Sequence, residues 1–166
     1  MKWTNIGNPG LCLGVALITV GAAAAQAATP AAKAADESQT AARLLSGIRA
    51  DAAQVQSAAE KWENLTKSST ANWKDYDLQW NEIAPPVEDM QIKLDRLESM
   101  SGSLSEVQRG EVDQAKQTVQ EIRSRTDQLV SLLDAPGFKT GDMRFRSDTR
   151  NLSSDAGKVE KTIAAS

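Results

Sequence analysis

The feature that most constrains the fold is a series of apolar residues between Trp73 and Leu97. Its members recur at alternating steps of three and four: Trp73, Tyr76, Trp80, Ile83, Val87, Met90, Leu94 and Leu97. This spacing places an apolar side chain on the same side of an α-helix at every turn, which is typical of a helix that packs along its length against other helices. The pattern therefore predicts an all-α protein.

Three other stretches carry the same spacing and predict three more helices. The four predicted helices run over about 37–65, 71–99, 104–133 and 142–164. The apolar seams of the other three are Ala41, Leu45, Ile48, Ala52, Val55, Ala59 and Trp62; then Val112, Ala115, Val119, Ile122, Thr126, Leu129 and Leu133; then Phe145, Thr149, Leu152, Ala156, Val159 and Ile163. Because the connecting loops are short, we expect an antiparallel up-down-up-down four-helix bundle.

The polar segment between the first two helices, residues 66–72, admits two interpretations. Its sequence TKSSTAN is rich in hydroxyl groups and poor in helix formers, which favours a turn with Ser69 or Thr70 capping the second helix. However, the seam continues in phase through positions 66 and 69 into Trp73. The alternative fold is therefore a long helical hairpin, in which the first two helices form one continuous helix of ~60 residues.

Prolines and capping residues mark the other boundaries. Pro85-Pro86 interrupts the second helix and predicts a kinked helix or two short coaxial helices, although Pro86 could also begin a new helix. Asp36 and Ser103 are the expected N-caps of the first and third helices. Turns are expected at 101–103 and 135–137, where glycine and proline occur.

The N-terminus has the composition of a secretory signal. Lys2 precedes an apolar stretch that begins at Leu11, and Ala25-Gln26-Ala27 fits the small-x-small rule of signal peptidase. We therefore predict that residues 1–27 are a signal peptide, 28–36 a flexible lead-in and 37–166 the bundle. The protein is expected to be periplasmic or secreted, without a transmembrane segment after signal cleavage, since the apolar stretch is shorter than a bilayer span.

Missing side-chain types exclude much of enzyme chemistry. The chain has no His, and its single Cys, Cys12, lies in the predicted signal peptide. The mature protein would therefore lack His-dependent triads, metal sites built from His or Cys, and thiolate nucleophiles. We expect no enzymatic activity, no cofactor and no bound metal.

Charge and acidic residues point away from nucleic acid and calcium. Removing residues 1–27 leaves 18 basic and 22 acidic side chains, a balance of −4, since that segment holds one of the 19 basic residues and no acid. Nucleic-acid binding needs a basic stripe instead. Asp75, Asp77, Gln79 and Asn81 alternate as in a calcium loop, but Trp80 stands where an EF-hand needs Gly, so a solvated helix face is predicted. Five other acids are expected on the surface: Glu60, Glu63, Glu88, Glu111 and Asp113.

Aromatic residues are expected to gather at one end of the bundle. The up-down topology places residues 66–72 and the 135–137 turn at the same end. This end should bring together Trp62, Trp73, Tyr76, Phe138 and Phe145, with Trp80 about one turn below. Such a group is either a packed aromatic core or a small pocket that contacts an apolar ligand or a partner.

These observations favour an exported non-enzymatic helical-bundle protein with an interaction or structural role in the cell envelope. Its partner would be another protein or a second copy of the chain. The alternative is a bundle that binds a small apolar ligand at the Trp-rich end. Lys139, Arg144, Arg146 and Arg150 form a basic segment that predicts either a solvated face or a weak membrane-surface contact.

Overall fold

Four antiparallel helices account for most of the chain. The computed structural model describes residues 30–68, 70–139 and 141–163. Within these residues the chain forms no strand, and the helices are α1 (Pro30–Leu65), α2 (Trp73–Ser99), α3 (Glu106–Leu133) and α4 (Met143–Ile163), with a 3₁₀ turn at Ser101–Ser103. The prediction of an all-α four-helix bundle is confirmed. None of these helices has the apolar length that a bilayer crossing requires.

The helices form a ring in which neighbours run in opposite directions. Lys61 of α1 bonds Glu82 of α2 at 2.8 Å, and Asp51, farther back along α1, bonds Lys93, farther on along α2. α1 packs most extensively against α4 and α2, α3 packs against α4, and the α2–α3 interface is the smallest of the four. The bundle is therefore less tightly closed on the side between α2 and α3.

The predicted seams form the core. Almost every seam residue of the four helices is buried, and Ile48, Ile83, Ile122 and Leu152 are fully inaccessible. Thr126 and Thr149 also occupy seam positions, and each hydroxyl donates to the carbonyl four residues earlier, at 2.6 and 3.0 Å. A buried hydroxyl that is bonded in this way costs little, which explains why the seam tolerates threonine.

α1 and α2 are separate helices, so the alternative of one continuous helix is wrong. Asn72 is the N-cap of α2: its side chain accepts from the backbone N–H of Lys74 at 2.9 Å, and the Asp75 carboxylate accepts from the Asn72 N–H at 2.8 Å. The N-cap of this capping box therefore lies two residues after Thr70, which was one of the two predicted caps. The other predicted cap, Ser69, lies outside the described residues.

The first and third helices begin at other residues than predicted. α1 starts at Pro30, so residues 30–36 are helical where a lead-in was expected, and Asp36 lies inside the helix. Proline is favoured at the first helical position and the following residues are mostly alanine, the best helix former. In α3, the capping box is formed by Ser105 and Gln108, because residues 101–103 form the 3₁₀ turn. The predicted signal peptide, 1–27, lies outside the described residues.

α2 runs through Pro85 and Pro86 as one helix, not as two. Pro86 has no N–H to donate to the Glu82 carbonyl four residues earlier. In α1, the side-chain amide of Gln54 donates to that carbonyl at 3.4 Å. A neighbouring helix thus replaces a bond that proline removes, and Ile83 and Val87 keep their seam positions on either side of the prolines.

Replacing the exposed Pro85 by alanine should stabilise the protein. The new backbone N–H would donate to the Asn81 carbonyl and the clash of the proline ring would be relieved, so Pro85→Ala should raise the free energy of unfolding by about 1–3 kcal/mol. Urea denaturation followed by far-UV circular dichroism measures this change. The control is Pro136→Ala in an exposed turn, which should leave stability within about 1 kcal/mol or lower it slightly. A loss of stability in Pro85→Ala would show that Pro85 does not weaken α2.

Candidate functional site

Four of the six predicted site residues meet in an aromatic cluster, defined here as Trp62, Tyr76, Phe138 and Phe145. Their rings pack edge to face, with centroid separations of 5.3–5.8 Å. Trp62, Tyr76 and Phe145 are fully buried, and the indole N–H of Trp62 donates to the Tyr76 carbonyl at 3.0 Å. Burial also raises the pKa of the Tyr76 hydroxyl. A ligand at this position would have to displace rings that already contact one another.

Trp73 does not join the aromatic cluster. It is the first residue of α2 and 69% of its surface is exposed. The three-and-four spacing placed Trp73 in the seam. However, α2 begins at this residue, and its first turn lies at the end of the bundle, where no neighbouring helix of the described chain covers the Trp73 side chain. Trp73 is therefore a surface residue beside the cluster.

Trp80 lies at a third kind of position, in the wall of an open groove. The α2–α3 groove has a volume of ≈ 450 Å³ and is lined by Trp80, Ala84, Val87, Glu88, Gln91, Ile92, Val119, Arg123, Thr126 and Asp127. The smallest helix–helix interface of the ring lies here, and side chains on this side do not close the space between the two helices. Because this groove depends on the spacing of two helices, sequence reasoning missed it.

The α2–α3 groove has an apolar floor and a charged rim. Val87 and Val119 are buried at its floor, whereas Ile92 at its edge is 57% exposed. Glu88, Arg123 and Asp127 belong to the rim, and none of the three takes part in an ion pair within the described part of the chain. The groove thus combines apolar contact area with charged groups that remain available to a partner.

Exposed apolar side chains are concentrated on the same helix. Of the five large ones among the described residues, Trp73, Leu78 and Ile92 belong to α2, while Val107 and Met143 lie elsewhere. Leu78 and Ile92 are separated by two heptads, with the exposed Pro85 midway, so all three lie on the outer side of α2. α2 is the helix that offers most apolar surface to solvent.

The buried acids were not predicted. Glu111, expected at the surface, has an exposure of only 8%, and neither carboxylate oxygen has a hydrogen-bond partner among the described residues. It lies four residues before the seam residue Ala115 and therefore on the same side of α3, a signal that the sequence did contain. Glu63 is half-buried, whereas Glu60, Glu88 and Asp113 are exposed as expected.

Asp155 forms the main buried ion pair between α3 and α4. Its carboxylate accepts from Arg125 and from Lys158, each at 2.8 Å, and its exposure is 3%. Burial raises the pKa of Asp155, but the hydrogen bonds from Lys158 and Arg125 outweigh that effect and hold the pKa below its usual value. The carboxylate is therefore charged and fully used in holding the bundle together.

Half of the predicted basic segment is occupied by contacts with α1. Arg146 donates to the backbone carbonyl of Thr66 at 3.1 Å and to its hydroxyl at 3.2 Å, and Arg150 bonds Glu63 at 2.8 Å. These arginines bind the C-terminal end of α1, where carbonyls lack helical partners. Lys139 and Arg144 are exposed and remain available for a surface contact.

The acidic alternation at the start of α2 serves the helix. Asp75 completes the N-cap, and Asp77 is exposed one turn before Asn81. Among the residues that the structure describes, no group of three His, Cys, Asp or Glu side chains could hold a metal ion.

Comparison with known proteins adds no assignment. No protein-family model, curated protein or solved structure matches this chain. The α2–α3 groove and the exposed side of α2 are therefore the features of the structure that bear on function.

Removing Trp62 should destabilise the bundle far more than removing Trp73. Trp62→Ala would leave a cavity among the rings and lower the free energy of unfolding by about 3–5 kcal/mol. Trp73→Ala, at an exposed site, should change it by no more than about 0.5 kcal/mol. Chemical denaturation of both variants measures the difference. Equal losses would show that Trp73 also belongs to the core.

The Asp155 ion pair should make stability depend on pH. Asp155→Asn should cost about 1–3 kcal/mol at neutral pH, less than for a fully buried pair, because Arg125 and Lys158 keep contact with water. Since the folded pKa is depressed, the stabilisation is present above the unfolded pKa of about 4 and disappears as the pH falls through the lower folded value. Urea titrations at several pH values should therefore show that the difference in free energy of unfolding between the wild type and Asp155→Asn decreases below about pH 4. The control is Asp113→Asn at an exposed position. A stability difference between the wild type and Asp155→Asn that stayed constant with pH would be inconsistent with this ion pair.

Proposed function

We propose that this is an exported, non-enzymatic helical-bundle protein of the cell envelope that binds a protein partner or a second copy of itself through the α2–α3 groove. The observation that carries the proposal is the open groove itself, with a volume of ≈ 450 Å³ and the exposed Ile92 at its edge. Apolar residues scattered singly on a surface are ordinary, but apolar area continuous with a groove is typical of binding sites.

Two features of the sequence support the other parts of the proposal. The charged start, apolar core and small-x-small site within residues 1–27 support export to the periplasm or the cell exterior. The lack of His, together with a single Cys in that same segment, supports a role in binding instead of catalysis.

Site-specific crosslinking in cells tests the proposal. A photoreactive amino acid that replaces Gln91, in the groove wall, should give a discrete protein adduct. The same photoreactive amino acid in place of Ser57, an exposed residue of α1, should give none. The yield of this adduct should fall when the substitution Ile92→Ser is also present. An adduct of twice the protein's mass would identify self-association. No adduct at Gln91, or identical adducts at both positions, would refute the proposal.

A small apolar ligand is the second candidate function, and the structure favours the groove for it. The volume of ≈ 450 Å³ falls within the range of about 300–1,000 Å³ that is usual for ligand sites. Trp80 lines this groove, while the aromatic cluster is filled by its own rings. Titration with 1-dodecanol should then shift a fluorescence signal that Trp80→Phe removes; no shift would eliminate this candidate.

A further inference from the structure

We infer that the partner of the α2–α3 groove is an amphipathic helix with an apolar face and basic flanks. This inference rests on the proposed function and specifies the kind of partner. Three observations carry it: the length of the groove compared with its volume, the position of Ile92, and the sign of the charges along the rim. Each is independent of the others.

The groove is long compared with its volume. Its lining on α2 extends from Trp80 to Ile92, which corresponds to ~18 Å of helix at ~1.5 Å per residue. A helix of that length and ~10 Å diameter occupies ~1,400 Å³, which is more than all the free space in the groove. A whole helix therefore cannot enter, but the side chains along one of its faces can. That arrangement is the helix-in-groove mode, in which residues at i, i+3, i+4 and i+7 act as anchors.

Ile92 favours a partner that also covers the edge of the groove. Val87 and Val119 are already buried, so a compact ligand on the floor would gain little from them, whereas Ile92 remains 57% exposed. A helix lying over the groove would bury Ile92 and use the half-buried Trp80 at the other end. Tryptophan is among the side chains that most often anchor protein interfaces.

The rim is acidic. The charged side chains that line the groove are Glu88 of α2 and, on α3, Arg123 and Asp127. They give two carboxylates against one guanidinium, a local balance of −1. Such a rim attracts Lys and Arg and repels Asp and Glu. A second copy of the chain docked groove to groove would bring two acidic rims together, which disfavours self-association at this surface.

Designed peptides test this inference on the purified protein. One is an 18-residue peptide of Leu and Lys with Leu at i, i+3, i+4 and i+7; the second replaces every Lys by Glu; the third scrambles the order of the first. None contains Trp, so protein fluorescence reports binding. The Leu/Lys peptide should bind at least about tenfold more tightly than the other two, and more weakly as salt is added.

Matched variants separate the groove from general attraction to an acidic protein. Ile92→Ser should weaken binding of the Leu/Lys peptide about fivefold or more, whereas Met143→Ser, an exposed apolar position of α4, should stay within about twofold. Glu88→Lys with Asp127→Lys should reverse the preference toward the Leu/Glu peptide. Glu60→Lys with Glu121→Lys changes the net charge equally, at exposed positions outside the groove, and should not reverse it. Circular dichroism of each variant checks that the bundle is folded.

Each other outcome overturns the inference. Equal binding of the Leu/Lys and Leu/Glu peptides, or equal effects of the two charge reversals, would exclude a basic helix at the groove. Saturable binding of 1-dodecanol without peptide binding would assign the groove to a small apolar ligand. A Gln91 adduct with a second copy, or with a partner whose crosslinked segment is acidic, would leave the proposed function standing and exclude the basic helix. Absence of any Gln91 adduct would remove the proposed function, and with it the inference that rests on it, even where the Leu/Lys peptide binds.

Discussion

Close packing of α2 and α4 against α1 is the constraint on which the rest of the bundle depends. α1 contributes alanines to the core, and Ala52, Ala58 and Ala59 are buried where its neighbours approach. Small side chains allow helices to pack at short distances, so α2 and α4 are both fixed on α1. α3 is held mainly through α4 and meets α2 at the smallest interface. The groove between α2 and α3 therefore lies on the side of the bundle that faces away from the closely packed α1 interfaces.

Polar groups in this bundle act mostly where backbone bonding is incomplete. Gln54 supplies the donor that Pro86 removes from α2, and Arg146 donates to the carbonyl of Thr66 at the end of α1. Both side chains come from a neighbouring helix, so the same bonds that satisfy the backbone also fix the register between helices. Asp155 fixes the register between α3 and α4 differently, through a buried charge bonded to the side chain of Arg125. Glu88 and Arg123, on the rim of the groove, differ from these because their charges hold no ion pair within the described chain.

The sequence specified the helices well and the spaces between them poorly. Seam residues such as Ile83 and Ile122 were identified because burial on one side of a helix imposes a three-and-four spacing. The same rule misplaced Trp73, since spacing alone does not show where a helix begins. Glu111 was assigned to the surface with the other acids, although it lies four residues before the seam residue Ala115. The burial of Asp155 depends on the register between two helices, which the sequence does not show. The groove could not be predicted, because it depends on distances between helices that no local pattern encodes.

Two tryptophans on predicted seams show why the groove is better suited to binding than the core. Trp62 has its indole N–H bonded and the Phe145 ring packed edge to face against it, so any ligand there would first break a ring contact worth about 0.5–1.5 kcal/mol and open the core. Trp80 borders open space, and a partner could cover it without disturbing any helix–helix contact. Binding is favoured where the free energy of association is not spent on unpacking the protein. The least tightly packed side of the bundle is therefore the side at which recognition costs the fold least.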